Sequence, residues 1–158
     1  MVAESWLARA ARLHPERLAV NTITYADLHA SAAEQARAIA PGEPVAIDLP
    51  PGEAFAVRLH ACLLAGAVAV PGPPTAEQAE VHAIAGHSAC SAGGERRWDD
   101  VAVVVRTSGT TSEPKAVGLT YGNWLWSALG SAAALGVAPD ERWLCAMPLT
   151  HVGGLSIL

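Results

Sequence analysis

The stretch VAVVVRTSGTTSEPKAV, residues 101–117, decides how this chain folds. It opens with an apolar run over 101–105 that contains four valines, which is typical of a central parallel strand with both faces covered. This strand leads directly into a loop rich in glycine and in threonine and serine, whose side chains carry hydroxyl groups. Ligands of α/β sheets bind beyond the carboxyl ends of strands, so both the position and the composition of the loop indicate a binding site.

Helical and extended patterns alternate on both sides of this stretch. Apolar periodicity and capping boxes predict helices over about 7–13, 25–39, 53–65, 76–85 and 123–135. Short apolar or β-rich runs predict extended segments at 21–24, 45–49, 67–70, 101–105, 116–119 and 143–146, and a polar region over 86–100 offers only a short strand at 89–91. Thr24 with Asp27, and Thr75 with Gln78, have the spacing of capping boxes. The alternation predicts an α/β fold with a largely parallel sheet and flanking helices.

Composition excludes several classes of protein. The 158 residues are 51% hydrophobic and 16% charged, which suits an ordinary core and not a disordered segment. A net charge of -5 disfavours nucleic-acid binding. Three cysteines without C-x-x-C spacing and the lack of a signal-peptide pattern favour a cytoplasmic protein. The uncharged stretch 120–138 contains too many glycines and serines for a membrane span, so we expect a buried helix and no membrane.

The loop after the apolar strand has the chemistry of an anion site. Hydroxyls and glycine-turn amides can donate hydrogen bonds to phosphate oxygens, and a lysine adds a mobile positive charge. The candidate residues are Thr107, Ser108, Gly109, Thr110, Thr111, Ser112 and Lys115. The same residue types are also common in plain turns. The loop is not a Walker loop, because Pro114 takes the place of the second glycine and Ala116 follows the lysine.

Several segments resemble the adenylate-forming (AMP-binding) superfamily, which includes acyl- and aryl-CoA ligases. The stretch TSGTTSEPKAV resembles its phosphate-loop signature. In the expected order, similar segments are TYADLHASAAEQARAI, FAVRLHACLLAGAVAVPGPP, LTYGNWLWSA and MPLTHVGGLSIL, which together cover the chain from about Thr24 to its last residue. The last of these is most similar to the bacterial o-succinylbenzoate-CoA ligases of menaquinone synthesis.

The resemblance implies an acid-thiol ligase that uses ATP, Mg²⁺ and CoA. A small-molecule carboxylate would be activated as acyl-AMP and transferred to CoA, with the loop residues cradling the β- and γ-phosphates. His151 would line the acyl pocket beside the reacting carboxylate, near the amides of Val152, Gly153 and Gly154 at a helix start. A histidine packed at a helix end without a ligand role is the alternative.

The other histidines lack metal-ligand spacing, so we expect no metal site in this chain. The clustered indoles of Trp124, Trp126 and Trp143 could flank an aromatic substrate, but indoles in an apolar helix and an adjacent strand are usually core, so we expect core residues.

The resemblance also implies that the chain is incomplete. It stops inside an apolar run, while relatives carry adenine, ribose and magnesium sites and a C-terminal domain further on. We therefore expect residues 1–158 to be the N-terminal part of an AMP-binding domain, with the C-terminal domain absent, inactive alone and with apolar surface exposed. A non-catalytic nucleotide- or anion-binding module, and a membrane-associated segment around 120–138, are the alternatives. The acid and the oligomeric state stay open.

Ser112 stands where the superfamily usually has glycine, and this difference is testable. If the position needs a positive φ, serine costs on the order of 1 kcal/mol. We expect Ser112→Gly to leave ATP affinity equal or improved, measured by titration calorimetry. A large loss of affinity would instead identify the serine as a specific ligand.

Overall fold

The computed structural model describes residues 2–3, 5–74, 78–86, 96–107, 115–138 and 140–158. In chain order the elements are β1 (Val2–Ala3), α1 (Trp6–Leu13), β2 (Leu18–Val20), β3 (Ile23–Thr24), α2 (Tyr25–Ala36), β4 (Pro44–Ile47), α3 (Glu53–Ala65), β5 (Val68–Pro71), α4 (Gln78–Gly86), β6 (Arg96–Arg97), β7 (Val101–Thr107), β8 (Lys115–Thr120), α5 (Tyr121–Leu135) and α6 (Val152–Leu155).

A four-stranded sheet in the order β4-β5-β7-β8 forms the centre of the fold. The β4–β5 and β5–β7 ladders are parallel, and Ala69 pairs with Val103. The β7–β8 ladder is antiparallel, because only seven residues separate these strands and a parallel crossover needs a dozen or more. The predicted α/β fold with a largely parallel sheet is confirmed.

Side-chain alternation along the strands builds a separate core on each face of the sheet. Val103 and Val105 of β7 pack in the cluster that contains Phe55 of α3 and Leu28 of α2. On the other face, Val104 packs with Val68 and Val70 of β5 and with Val81 and Ala85 of α4. Because residues 102–105 of β7 are buried on both faces of the sheet, this part of the strand is a continuous apolar run.

Side chains and glycine fix the helix ends. The Thr24 hydroxyl accepts from the Asp27 amide at 3.1 Å and caps α2, as predicted. That helix ends at Ala36, earlier than predicted, because residues 37–39 tighten into i to i−3 hydrogen bonds. Gly66 ends α3 at φ +74, a left-handed conformation that glycine adopts without strain. Thr120 and Asn123 form a capping box at α5 that the sequence analysis missed.

Three further predictions about the fold are wrong. Residues 143–146 form no strand, because this segment has no hydrogen-bonding partner strand among the described residues. Helix α5 is not buried: within it only Tyr121 is buried, and Trp126 is 73% exposed. Trp143 is 54% exposed, so neither of these indoles is a core residue.

Thr75 and the strand predicted at 89–91 lie outside the described residues. In the described part of the chain, no helix is long and apolar enough to cross a bilayer.

A buried arginine fastens the carboxyl end of α3. Strand β6 pairs with β1, and Arg96 of β6 donates to the Leu64 carbonyl. The same guanidinium lies 6.0 Å from the centre of the Tyr121 ring, whose hydroxyl donates to the Leu63 carbonyl at 3.3 Å. A cation at a helix carboxyl end and over an aromatic ring is doubly favourable. Arg96 therefore joins α3 to the start of α5.

His60 is a buried titratable group in the middle of α3. Its Nε2 lies 3.3 Å from the main-chain oxygen of Leu158, and since a carbonyl only accepts, Nε2 donates. Burial lowers the pKa of His60 from 6.5 to about 4 because the charged form is poorly solvated there, and the hydrogen bond to Leu158 opposes this shift. The neutral imidazole is therefore the form compatible with folding near pH 7.

This low pKa predicts a loss of stability in acid. Between pH 6.5 and about 4 the unfolded chain protonates His60 and the folded chain does not, so the free energy of unfolding falls, by up to about 3 kcal/mol. Urea denaturation at stepped pH should show this component in the wild type and in His14→Gln, which changes an exposed histidine. His60→Gln should lack it. An identical pH profile for His60→Gln and wild type would contradict the assignment.

Candidate functional site

The predicted phosphate loop is held between the ends of two paired strands. Thr107 ends β7, Lys115 begins β8, and the two residues are Cα partners in the antiparallel ladder. The Thr107 hydroxyl donates to the Lys115 carbonyl at 3.3 Å, which braces the mouth of this hairpin. Both residues are exposed. Ser108, Gly109, Thr110, Thr111 and Ser112 lie outside the described residues, so their predicted role stays a prediction.

The hairpin mouth lies at the edge of the sheet where parallel strands end. Because β4, β5 and β7 run in the same direction, Ile47, Pro71 and Thr107 all terminate at one edge. Ligands of open α/β sheets bind outside this edge. The fold therefore places the two residues that flank the loop, Thr107 and Lys115, at the edge that the sequence analysis predicted. The Thr107 hydroxyl can donate to a phosphate only if it rotates and gives up its hydrogen bond to the Lys115 carbonyl.

Lys115 has a further property that the sequence analysis overlooked. It is the only lysine in the chain. The other nine of the ten Lys and Arg residues are arginines. An ammonium is a compact charge on a flexible stem, whereas a guanidinium is a rigid planar fork. The chain thus places its single flexible point charge at the exposed mouth of the β7–β8 hairpin.

The segment that carries His151 comes to the same edge of the sheet. Gly72 follows β5 and its amide donates to the Ile47 carbonyl at 3.0 Å. A Cβ on Gly72 would lie 3.7 Å from the Thr150 methyl group, so residue 150 packs against the end of β5. Leu149 is buried and anchors this segment in the core. The two sequence motifs are therefore brought to one side of the fold.

His151 itself is exposed and is the N-cap residue of the short helix α6. Its carbonyl accepts from the amides of Gly154 at 3.1 Å and Leu155 at 2.9 Å. The expectation that the Gly154 amide is free for a substrate carboxylate is thus wrong, because the tight first turn of α6 already uses it. The exposure of His151 argues against the alternative of a histidine packed at the helix end without a ligand role.

Gly154 holds the His151 turn through a close backbone approach. A Cβ at this position would lie 2.5 Å from the Pro148 carbonyl oxygen and 2.6 Å from that of Met147. The Gly154 carbonyl in turn accepts from the Cys145 thiol at 3.4 Å. Only glycine lets α6 pack this closely on the chain that leads into it.

A separate apolar cavity of about 530 Å³ opens between α3, α5 and the last residues of the chain. Its lining includes His60, Trp124, Trp143 and Leu155, but neither Lys115 nor His151. The Trp124 Nε1 is buried and has no hydrogen-bond partner among the described residues. The cavity and the hairpin mouth are therefore two different features of the molecule.

Comparison with known proteins agrees with this geometry. The family described as AMP-binding enzyme matches residues 7–93 and 94–158. The chain belongs to this family. A 2-succinylbenzoate-CoA ligase of Bacillus subtilis is 32% identical, and the alignment covers 98% of this chain but 40% of that protein. The chain thus spans about two fifths of the length of this curated relative.

Solved structures of a Bacillus subtilis enzyme superpose on nearly the whole chain. The o-succinylbenzoate CoA synthetase bound with the product analogue OSB-NCoA gives a TM-score of 0.80 at 28% identity, over 99% of this chain and 41% of that one. The same enzyme in complex with ATP and magnesium gives 0.78 at 26% identity, over 99% and 54%. The fold and the family are therefore established together.

This AMP-binding chain is shorter than its relative inside the aligned region. The alignment with the Bacillus subtilis ligase runs over 208 positions although this chain has 158 residues. The family match is divided between residues 93 and 94, which lie between α4 and β6. Both observations indicate a shorter connection between α4 and β6 here than in that relative.

The close approach at Gly154 predicts a selective loss of stability. Gly154→Ala should lower the free energy of unfolding by about 1–3 kcal/mol, because the new methyl group meets backbone oxygens that cannot rotate away. Gly130→Ala is the matched control: Gly130 lies in α5 with nothing within 4 Å of its Cβ position, so alanine there should stabilise by about 1 kcal/mol. Equal unfolding midpoints for the two variants in urea would contradict the packing argument.

Proposed function

We propose that residues 1–158 form the N-terminal part of the AMP-binding domain of an ATP-dependent acyl- or aryl-CoA ligase. In this reaction a substrate carboxylate oxygen attacks the α-phosphorus of ATP, the bond to the β-phosphate oxygen breaks, and pyrophosphate leaves. The thiol of CoA then attacks the acyl carbon, loses its proton, and AMP leaves. Structures of the Bacillus subtilis relative hold ATP with magnesium, AMP, the acyl-adenylate OSB-AMP and the product analogue OSB-NCoA.

The observation that carries the proposal is the position of Lys115. The chain's one lysine begins β8 opposite Thr107, at the carboxyl edge of three parallel strands and at the end of the loop that resembles the superfamily signature. A mobile ammonium there neutralises charge on the β- and γ-phosphates as pyrophosphate departs. The residues assigned to the triphosphate are Thr107, Ser108, Gly109, Thr110, Thr111, Ser112 and Lys115.

His151 is assigned to the carboxylate side of the reaction. It is exposed, caps α6 and follows Thr150, which packs at the end of β5. From this edge an imidazole can hold the carboxylate by a hydrogen bond while the triphosphate lies over the hairpin. Positioning of this kind lowers the barrier because both reactants are fixed before bond formation. The acid we propose is o-succinylbenzoate, as in the relatives.

The described residues contain no cluster of metal-binding side chains. No group of three or more histidine, cysteine, aspartate or glutamate side chains in the described part of the chain could hold a metal ion. We therefore assign no step to Mg²⁺, which would accompany ATP as a substrate complex. The chain spans 40% of its curated relative. The use of CoA, the catalytic activity of the whole protein and its cytoplasmic location therefore belong to the same proposal.

Removal of the lysine charge tests the phosphate assignment directly. Lys115→Ala should weaken binding of ATP with Mg²⁺ to the 158-residue chain at least about tenfold, because a charged hydrogen bond contributes about 1.5–3 kcal/mol. Titration calorimetry measures the affinity. Arg97→Ala is the matched control: it removes another exposed cation, whose ion pair with Asp99 is open to solvent, so the ATP affinity of this variant should equal that of wild type.

Two outcomes would contradict the proposal. Equal ATP affinity in Lys115→Ala and wild type would move the nucleotide away from the hairpin. If ATP binds through Lys115 but the full-length protein fails to exchange pyrophosphate into ATP in the presence of an aromatic acid, the chain is a binding module and not part of a ligase.

A further inference from the structure

A second, much smaller cavity lies beside the buried ring of His60. Its volume is about 20 Å³, which is room for about one water molecule. The residues that line it include Ser5, His60, Arg96 and Tyr121, which belong to the N-cap of α1, to α3, to β6 and to the first residue of α5. Hydrogen-bonding groups from four parts of the fold therefore surround this small cavity.

His60 has one hydrogen-bonding atom left to satisfy. Because Nε2 donates to the Leu158 carbonyl, the Nδ1 atom of the neutral imidazole carries no proton and is an acceptor. No group in the described part of the chain donates to Nδ1. His60 is only 9% exposed, and a buried acceptor costs free energy unless a donor reaches it.

The other polar groups of the cavity have capacity beyond the hydrogen bonds that they already make. The Ser5 oxygen accepts from an amide in the first turn of α1 at 3.3 Å, and the hydroxyl still has its own proton to donate. The Tyr121 hydroxyl donates to an α3 carbonyl, and its oxygen has lone pairs that can accept. The Arg96 guanidinium has several N–H donors, one of which reaches the Leu64 carbonyl. Together with His60, the cavity thus offers two acceptors and two donors.

We infer that this cavity binds one structural water, which donates to His60 Nδ1 and to the Tyr121 oxygen and accepts from Arg96 and Ser5. A water has two protons to donate and two lone pairs, so this set of partners satisfies it completely. Leu158 lines the large apolar cavity and not the small one. The Nε2 edge of the His60 ring therefore faces the large cavity, and Nδ1 is left for the small one. An anion suits the site less well, because the Nδ1 lone pair repels it.

The bound water has two effects on the fold. It connects the beginnings of α1 and α5 to the middle of α3 at one point. It also fixes the tautomer of His60, because an Nδ1 that accepts from water leaves the ring proton on Nε2. The Leu158 carbonyl needs the proton there, so the water supports the contact that holds residue 158 against α3.

A count of long-lived waters tests the inference. Oxygen-17 magnetic relaxation dispersion detects waters that stay in a protein for longer than its tumbling time. Wild type should hold one more such water than His60→Leu, which removes the Nδ1 acceptor. His14→Leu is the matched control, because it changes an exposed histidine in the same way and should give the wild-type count.

A crystal structure of the wild-type chain is a second measurement, which does not depend on whether His60→Leu folds. It should show a water oxygen within hydrogen-bond distance of His60 Nδ1 and of Arg96 or Tyr121. Crystals grown in bromide should give no anomalous peak in the cavity, since the site selects water over an anion.

Any of three results would overturn the inference. The first is an equal count of long-lived waters in wild type and His60→Leu. The second is the absence of a water beside His60 Nδ1 in the wild-type crystal structure. The third is a bromide peak in the cavity, since this would assign the site to an anion held by Arg96.

Discussion

The short connection between β7 and β8 is the constraint on which the rest of the structure depends. Seven residues cannot cross back over the sheet, so the chain must reverse and pair antiparallel at the carboxyl edge. This reversal sets Thr107 opposite Lys115 and fixes both ends of the signature loop. A phosphate-binding loop gains from fixed ends, since less ordering is needed when the ligand arrives.

The same hairpin also determines where α5 lies. Strand β8 passes into α5 without a linker, because Thr120 ends the strand and caps the helix with Asn123. The Gly122 amide donates to the Trp98 carbonyl at 2.8 Å, and Tyr121 packs under Arg96. The start of the helix is thereby fixed to the chain that precedes β7. The fixed ends of the loop and the position of α5 are thus two consequences of one reversal.

The sequence predicts this fold where local patterns carry the information. The continuous burial of β5 and β7, the Thr24 cap and Gly66 are all readable from the residues. The antiparallel direction of β8 was readable from the length of the loop, and the Thr120 cap from its three-residue spacing to Asn123. The sequence analysis missed both. The two-residue ladder of β1 with β6 depends on residues about ninety positions apart and leaves no local pattern. Exposure of Trp126 and Trp143 could not be predicted either, because periodicity identifies an apolar face and not whether anything covers it. For the site, a family resemblance was needed, since hydroxyls and glycine also make plain turns.

The chain's single lysine allows the most direct measurement. Reductive methylation with ¹³C-formaldehyde labels Lys115 and the terminal amine while keeping the charge, and Lys115→Arg assigns the lysine signal in a ¹³C–¹H spectrum. The account predicts that ATP with Mg²⁺ shifts this signal saturably, whereas adenosine, which lacks the phosphates, leaves it unmoved. A lysine signal that stays in place while calorimetry shows ATP bound would contradict the claim that the β7–β8 hairpin holds the triphosphate.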